Sequence, residues 1–188
     1  MALPQLTFDL PDWLQRQLQD QPAPVLTSPA AQVQFAIALS RQNVTHHTGG
    51  PFGAAVFDET GTLVAPGVNL VVSQGCSILH GEMVALALAQ QVVGRHDLSE
   101  GGRHRYRLAV SAEPCAMCLG ALPWSGIREL VYGALDQDVR AIGFDEGDKP
   151  AHWQQALERR GIQVTGGVLR EEAVAVLHQY RAAGGQVY

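Results

Sequence analysis

The sequence predicts a layered α/β fold, and three observations predict it. Short apolar runs of strand length alternate along the chain with segments whose apolar residues recur at helical spacing. The first two runs flank a Glu59-Thr60-Gly61 turn and read as a hairpin, whereas the later ones are separated by helices able to serve as crossovers. The 188 residues are 46% hydrophobic and 16% charged, so one core can form without stapling, and there are no internal repeats.

Residues 1–28 read as a proline-rich N-terminal arm with one short amphipathic turn around Trp13, Leu14 and Leu18, packed against a domain formed by residues 29–188. From Ala30, the positions Val33, Ala36, Ile37 and Val44 mark one helix face, which ends at Gly49-Gly50-Pro51; His46 and His47 read as end caps rather than metal ligands. Phe52–Asp58 is a strand, Leu63–Val72 its hairpin partner, and residues 73–79 a loop. Gly81–Val93 holds Ala, Leu, Met and Val without a breaker and is helical. Leu108–Ala112 is a strand entering Glu113-Pro114, and a helix follows from Cys115 to about Leu122. Ile127–Ala134 is the next strand, residues 136–149 a polar loop, His152–Arg159 a helix, Ile162–Thr165 a short strand and Arg170–Arg181 the last helix. The order α-β-β-α-β-α-β-α-β-α gives a sheet that starts with a hairpin and continues through crossovers.

Thirteen basic residues stand against 18 acidic ones, for a formal charge of −5, and Lys149 is the sole lysine. That balance gives no general electrostatic hold on nucleic acid, so no nucleic-acid partner is expected. The basic stretch Arg103–Arg107 reads as a solvated loop. No run approaches the ~18 uncharged apolar residues of a membrane helix, so no membrane partner is expected either. The first twelve residues lack a basic start and an apolar stretch of signal-peptide length, and a cytoplasmic location is the expectation. The three cysteines, at 76, 115 and 118, fit a reducing compartment, where a close pair is more often metal-binding or redox-active than structural.

Two motifs carry the chemistry: His80-Gly81-Glu82 at one helix start and Pro114-Cys115-Ala116-Met117-Cys118 at the next. With this composition H-x-E arises by chance roughly 0.3 times and P-C-x-x-C roughly 0.003 times, so the second motif is the specific one. Cysteines three apart on a helix lie about 60° apart around its axis, and a helix N-terminus favours thiolate, which suits Zn²⁺. His80 and Glu82 would point about 200° apart on a regular helix, so they converge only if His80 occupies the irregular capping turn. His80, Cys115 and Cys118 leave a tetrahedral zinc ion one ligand short, which is the arrangement of a catalytic site with water in the open position. Glu82 is the residue to take the water proton and hand it on. Cys76 has no motif role and reads as a buried or half-buried free thiol.

H-G-E with P-C-A-M-C resembles the zinc-dependent cytidine/deoxycytidylate deaminase superfamily. Gly50-Pro51-Phe52-Gly53-Ala54, Asn69, Ser111–Cys118, Trp124-Ser125-Gly126-Ile127 and Gly143-Phe144-Asp145-Glu146 are similar to its nucleobase branch, the bacterial guanine deaminases, over residues 30–188. The resemblance implies a three-layer α/β/α sandwich around a mixed five-stranded sheet, with His80, Cys115 and Cys118 on zinc and Glu82 as proton shuttle. It implies Asn69 as a hydrogen-bonding residue for a purine, Phe52 as a packing wall, and Glu146 as the acid for the substrate amino group and a second proton transfer. Asp145 and Trp124 are weaker substrate candidates. It also implies a homodimer in which Tyr188 closes its own site or, through a swapped C-terminal segment, that of the partner.

The expected activity is hydrolytic deamination of a free aminated nucleobase, with guanine to xanthine plus ammonia in front. Deamination of an amino-triazine or pterin-like ring stays open, because such a ring presents the same donor and acceptor edge. A tRNA adenosine deaminase resembles the chain at P-C-x-M-C and Trp-Ser, but requires a basic RNA surface at odds with a charge of −5. The non-enzyme alternative is a structural zinc module, closed by Cys76 as fourth ligand.

Overall fold

The hairpin turn at residues 59–61 lays β2 (Leu63–Val68) antiparallel to β1 (Gly53–Phe57) in a computed structural model that describes residues 7–188. The first six residues of the expected arm lie outside the described residues. β3 (Arg107–Ala112) pairs antiparallel with the other edge of β1; β4 (Glu129–Ala134) and β5 (Gln163–Thr165) then add in parallel. The spatial order β2-β1-β3-β4-β5 is a mixed five-stranded sheet, as the resemblance implied.

Alternation along the strands divides the core between the two faces. Ala55, Phe57, Ala109 and Val131 face one side, where they meet Trp13 and Leu14 of α1 (Asp12–Asp20), Val33 and Ile37 of α2 (Pro29–Thr45), and Val176 and Leu177 of α8 (Arg170–Ala182). Ala54, Val56, Leu108, Val110 and Leu130 face the other, against Ala85 and Ala89 of α4 (Gly81–Val93), Leu119 and Leu122 of α5 (Ala116–Ser125), and Leu157 of α7 (Trp153–Glu158). These are the three layers of an α/β/α sandwich.

Local chemistry sets the helix ends. Ser28 caps α2 by accepting the Ala31 N–H at 3.2 Å, with Pro29 in the first helical position. Gly94, at φ 72°, supplies the left-handed residue that closes α4. Two strand glycines let helices approach unusually closely: a Cβ on Gly53 would press on the Ser40 amide at 2.7 Å, and one on Gly67 would collide with the Gly81 carbonyl and the Ala85 amide. The Gly67 contact seats the first turn of α4, which carries the H-G-E motif, directly on the hairpin.

Several elements differ from expectation. The second strand ends at Val68 rather than Val72, because the Asn69 side chain accepts the Val71 N–H at 3.3 Å and turns the chain into α3 (Val71–Gln74). Residues 136–149 are not all loop, since α6 (Asp136–Ala141) forms there. Asp138 accepts the Leu135 N–H at 2.8 Å, Asp136 pairs with Arg140 at 2.7 Å, and Val139 is buried beneath. Such a short helix has too few apolar positions to show a period. The turn around Trp13 is a nine-residue helix, and α5 starts after Cys115 and runs through Pro123 to Ser125.

Replacing Gly67 by Ala is expected to lower stability by about 1–3 kcal/mol, the usual cost of overpacking. A thermal melt of the variant beside the parent checks this, and an unchanged midpoint would show that α4 can shift without cost.

Candidate active site

The two sharp entries into α4 and α5 face one another. His80 is the N-cap of α4 with extended backbone (φ −68°, ψ 155°), and Cys115 is the N-cap of α5 with φ −66° and ψ 171°. His80 therefore lies off the helical spiral, and this lets it converge with a Glu82 that a regular helix would turn away from it. Cys115 likewise precedes its helix rather than lying on it, so the geometry of the sulfur pair is set by the cap as well as by the helical turn. The ligand atoms of His80, Cys115 and Cys118 all lie within 4.8 Å of one another, and the His80 Nδ1 to Cys115 Sγ distance is 3.5 Å.

One imidazole and two thiols at paired helix N-termini form a donor set suited to zinc, with both dipoles favouring anionic sulfur. The Cys115 thiol already sits well below its ordinary range, at about 4, through its hydrogen bond with Cys118 and then that with His80. Cys118 is pushed upward by the same contact and by burial. The His80 ring is drawn up, its burial being outweighed by Cys115 and the nearby Glu82 and Glu146. Among the described residues Cys76 does not join this cluster, so the four-ligand closure of a structural zinc module is not formed.

Beside the cluster lies a cavity of about 20 Å³, walled by Phe52, Glu82, Glu113, Phe144, Asp145, Glu146 and Tyr188 along with His80 and Cys115. Glu82 and Glu146 are each 6% exposed. Burial pushes Glu82 up to about 7, helped by Cys115 and opposed by His80. Burial also pushes Glu146 up to about 8, with the Lys149 ammonium pulling the other way. Phe52 and Phe144 meet edge to face at 4.9 Å, and Tyr188 stands edge to face on Phe144 at 5.3 Å. The Tyr188 carbonyl accepts the Asp145 N–H at 3.1 Å, pinning the C-terminal residue to the segment that carries both acids.

Asn69 is fully buried next to this wall. Its Nδ2 and the Tyr188 hydroxyl lie beside one another, both buried and neither in a well-formed hydrogen bond, a costly state that a polar ligand would relieve. Of the sequence candidates, Trp124 alone stands apart: it is 74% exposed on the outer side of α5, with the Arg160 guanidinium 6.0 Å from its ring centre.

Three residues near the cavity were not singled out from sequence: Glu113, Phe144 and Lys149. The Lys149 side chain is 8% exposed, and its ammonium reaches Glu113 at 2.8 Å, Asp136 at 2.6 Å, the Pro114 carbonyl at 3.1 Å and Glu146 at 3.9 Å. Its signal was present as the one lysine in a chain that otherwise uses arginine. A compact ammonium can sit among several acceptors where a planar guanidinium could not.

Residues 28–134 match the cytidine and deoxycytidylate deaminase zinc-binding region. The chain belongs to that family, and its His80, Cys115 and Cys118 form the zinc site. Within the family it is similar to the guanine deaminase of Nitrosomonas europaea, at 45% identity over 97% of this chain and 99% of that one, with a TM-score of 0.90. A structure in complex with 2,6-diaminopurine is 46% identical over 97% of this chain and 95% of the other, with a TM-score of 0.89. The guanine deaminase of Bacillus subtilis is 34% identical over 122 residues, 62% of this chain and 74% of its own.

Substituting Cys118 with Ser is expected to remove stoichiometric zinc, whereas Cys76→Ser keeps it. Metal analysis of the two purified variants decides, and zinc loss from Cys76→Ser would contradict the three-ligand assignment.

Proposed function

We propose that the chain is a zinc-dependent aminohydrolase that converts guanine and water to xanthine and ammonia. The observation that carries this reading is the pair of buried carboxylates, Glu82 and Glu146, on one small cavity beside the zinc ligands. Similarity to the Nitrosomonas guanine deaminase along nearly the whole of both chains supports guanine over amino-triazine or RNA substrates.

Zinc held by His80, Cys115 and Cys118 supplies, when bound, a Lewis acid that brings the ionisation of water near neutral pH. Glu82, its affinity for a proton raised by burial, accepts the proton of the attacking water and passes it to a ring nitrogen. Glu146 then protonates the departing amine as the C–N bond breaks, and the proton released when the added hydroxyl becomes the carbonyl restores it. Two carboxylates can divide this labour, because replacing C–NH₂ by C=O requires protons at both the ring and the leaving nitrogen. Phe52 packs on the purine plane, the Nδ2 of Asn69, which has no well-formed hydrogen bond of its own, donates to a ring acceptor, and Asp145 lies at the edge of the substrate. Lys149 holds Glu146 in place and offsets the charge of the surrounding acids.

With Tyr188 seated, the remaining space is about 20 Å³, room for little more than one water. A purine therefore needs the wall to open, and Tyr188, which stands against Phe144 on that wall, is the residue proposed to close over the bound ring. The reading includes a cytoplasmic homodimer, in which a swapped C-terminal segment would bring Tyr188 from the partner; light scattering checks its mass. Trp124 is left outside the proposed site.

Ammonia release by the zinc-loaded chain from guanine, adenine, cytosine, cytidine and an amino-triazine tests the substrate. Guanine is expected to be the substrate turned over, and silence on guanine with turnover elsewhere would discard the assignment. Glu82→Ala should retain zinc and lose at least roughly 10²–10⁴-fold in kcat, the scale of general acid–base catalysis; full activity would remove Glu82 from the mechanism. Lys149→Met should lower kcat roughly tenfold, equivalent to about 1.4 kcal/mol, with zinc retained. Removing Tyr188 should raise KM or lower kcat, and unchanged kinetics would exclude it from the site.

A further inference from the structure

Asn69 does not hold its position alone. Its own amide N–H donates to the Phe52 carbonyl at 3.0 Å, and its carbonyl accepts from Asn43 Nδ2 at 2.9 Å. The same Asn43 amide group donates to the Gly50 carbonyl at 2.9 Å, so one buried side chain ties both strands of chain that flank the Asn69 amide. Packing there leaves no slack: a Cβ on Gly49 would overlap the Asn69 carbonyl, and one on Gly50 would lie 3.1 Å from Asn69 Oδ1.

Asn43 is fixed in turn. Thr48 Oγ1 donates to Asn43 Oδ1 at 2.7 Å, and Trp13 Nε1 donates to Thr48 Oγ1 at 3.0 Å, while the Trp13 ring stacks on His46 with centroids 5.6 Å apart. These bonds dictate which end of the Asn43 amide faces Asn69: Thr48 occupies the oxygen, leaving both N–H groups for the two carbonyls. Trp13 lies in α1, ahead of the family-matched segment, which begins at residue 28. The relay thus runs from the N-terminal arm, through the end of α2, to the backbone carbonyl of the buried Asn69, whose side-chain donor has only the Tyr188 hydroxyl beside it and no well-formed hydrogen bond.

We infer that Trp13, Thr48 and Asn43 are positioning residues for purine recognition, aligning the Asn69 amide for the ring, and that the N-terminal arm thereby sets substrate affinity rather than serving only as a cover. This rests on the guanine reading above. Because the relay touches neither the zinc ligands nor the two catalytic acids, its loss should appear in KM and not in kcat.

The experiment is steady-state turnover of guanine by the full-length, zinc-loaded chain and three variants, with zinc content measured in each. Thr48→Val, which keeps the shape and removes the hydroxyl, is expected to raise KM roughly fivefold, the scale of one net hydrogen bond, with kcat within about twofold and zinc retained. Thr48→Ser, which keeps the hydroxyl, should restore the parental KM, and Trp13→Phe should raise KM in the same direction by a smaller factor. A KM unchanged in both Thr48→Val and Trp13→Phe, or moved equally in Thr48→Ser, would overturn the relay and leave those residues a packing role seen only in the melting temperature. Failure of the parental chain to turn over guanine would instead overturn the substrate reading, and this inference with it.

Discussion

Two helices that begin on extended residues and point at one another are the constraint from which the rest of the site follows. A helix N-terminus exposes unpaired N–H groups, and here two of them converge on one place, lowering the cost of anionic sulfur there. The capping conformation of His80 and Cys115 matters as much as the dipoles, because it lifts each side chain off the helical spiral. Had His80 been one residue inside α4, the imidazole and Glu82 would have looked in different directions.

The sheet supplies the frame for that convergence. β3 runs antiparallel to β1 but parallel to β4, so it lies where antiparallel pairing gives way to parallel pairing. Its end delivers Cys115, while the hairpin edge, with Gly67 against Gly81, fixes the height of α4. The segment after β4 closes the cavity from the far side. Lys149 braces that segment to the zinc-ligand turn through Glu113 and the Pro114 carbonyl, so two parts of the chain distant in sequence move as one.

Much of this was legible in the residues. P-C-x-x-C and H-x-E marked the ligands and the acid between them, and strand and helix periods gave the order of the major elements. Two of the features that escaped depend on partners far along the chain. Lys149 meets Glu113 across 36 positions, and Trp13 meets Thr48 across 35, and no local pattern encodes either meeting. Helix α6 escaped for the opposite reason, being built from one capping bond and one ion pair rather than from an apolar stripe. Trp124, a candidate through the resemblance alone, is 74% exposed on α5 in the single chain.

The zinc ligands sit on two helices packed against the sheet, whereas Phe144, Asp145 and Glu146 sit on the irregular segment that follows α6. The metal ligands and this part of the cavity wall are thereby carried by separate stretches of polypeptide. Exchanges at Phe144 and Asp145 can remodel this wall of the cavity while Glu146 and the Lys149 brace to the zinc-ligand turn stay in place. Such a partition gives a lineage a route to new substrates through a few loop residues while its hydrolytic centre stays intact.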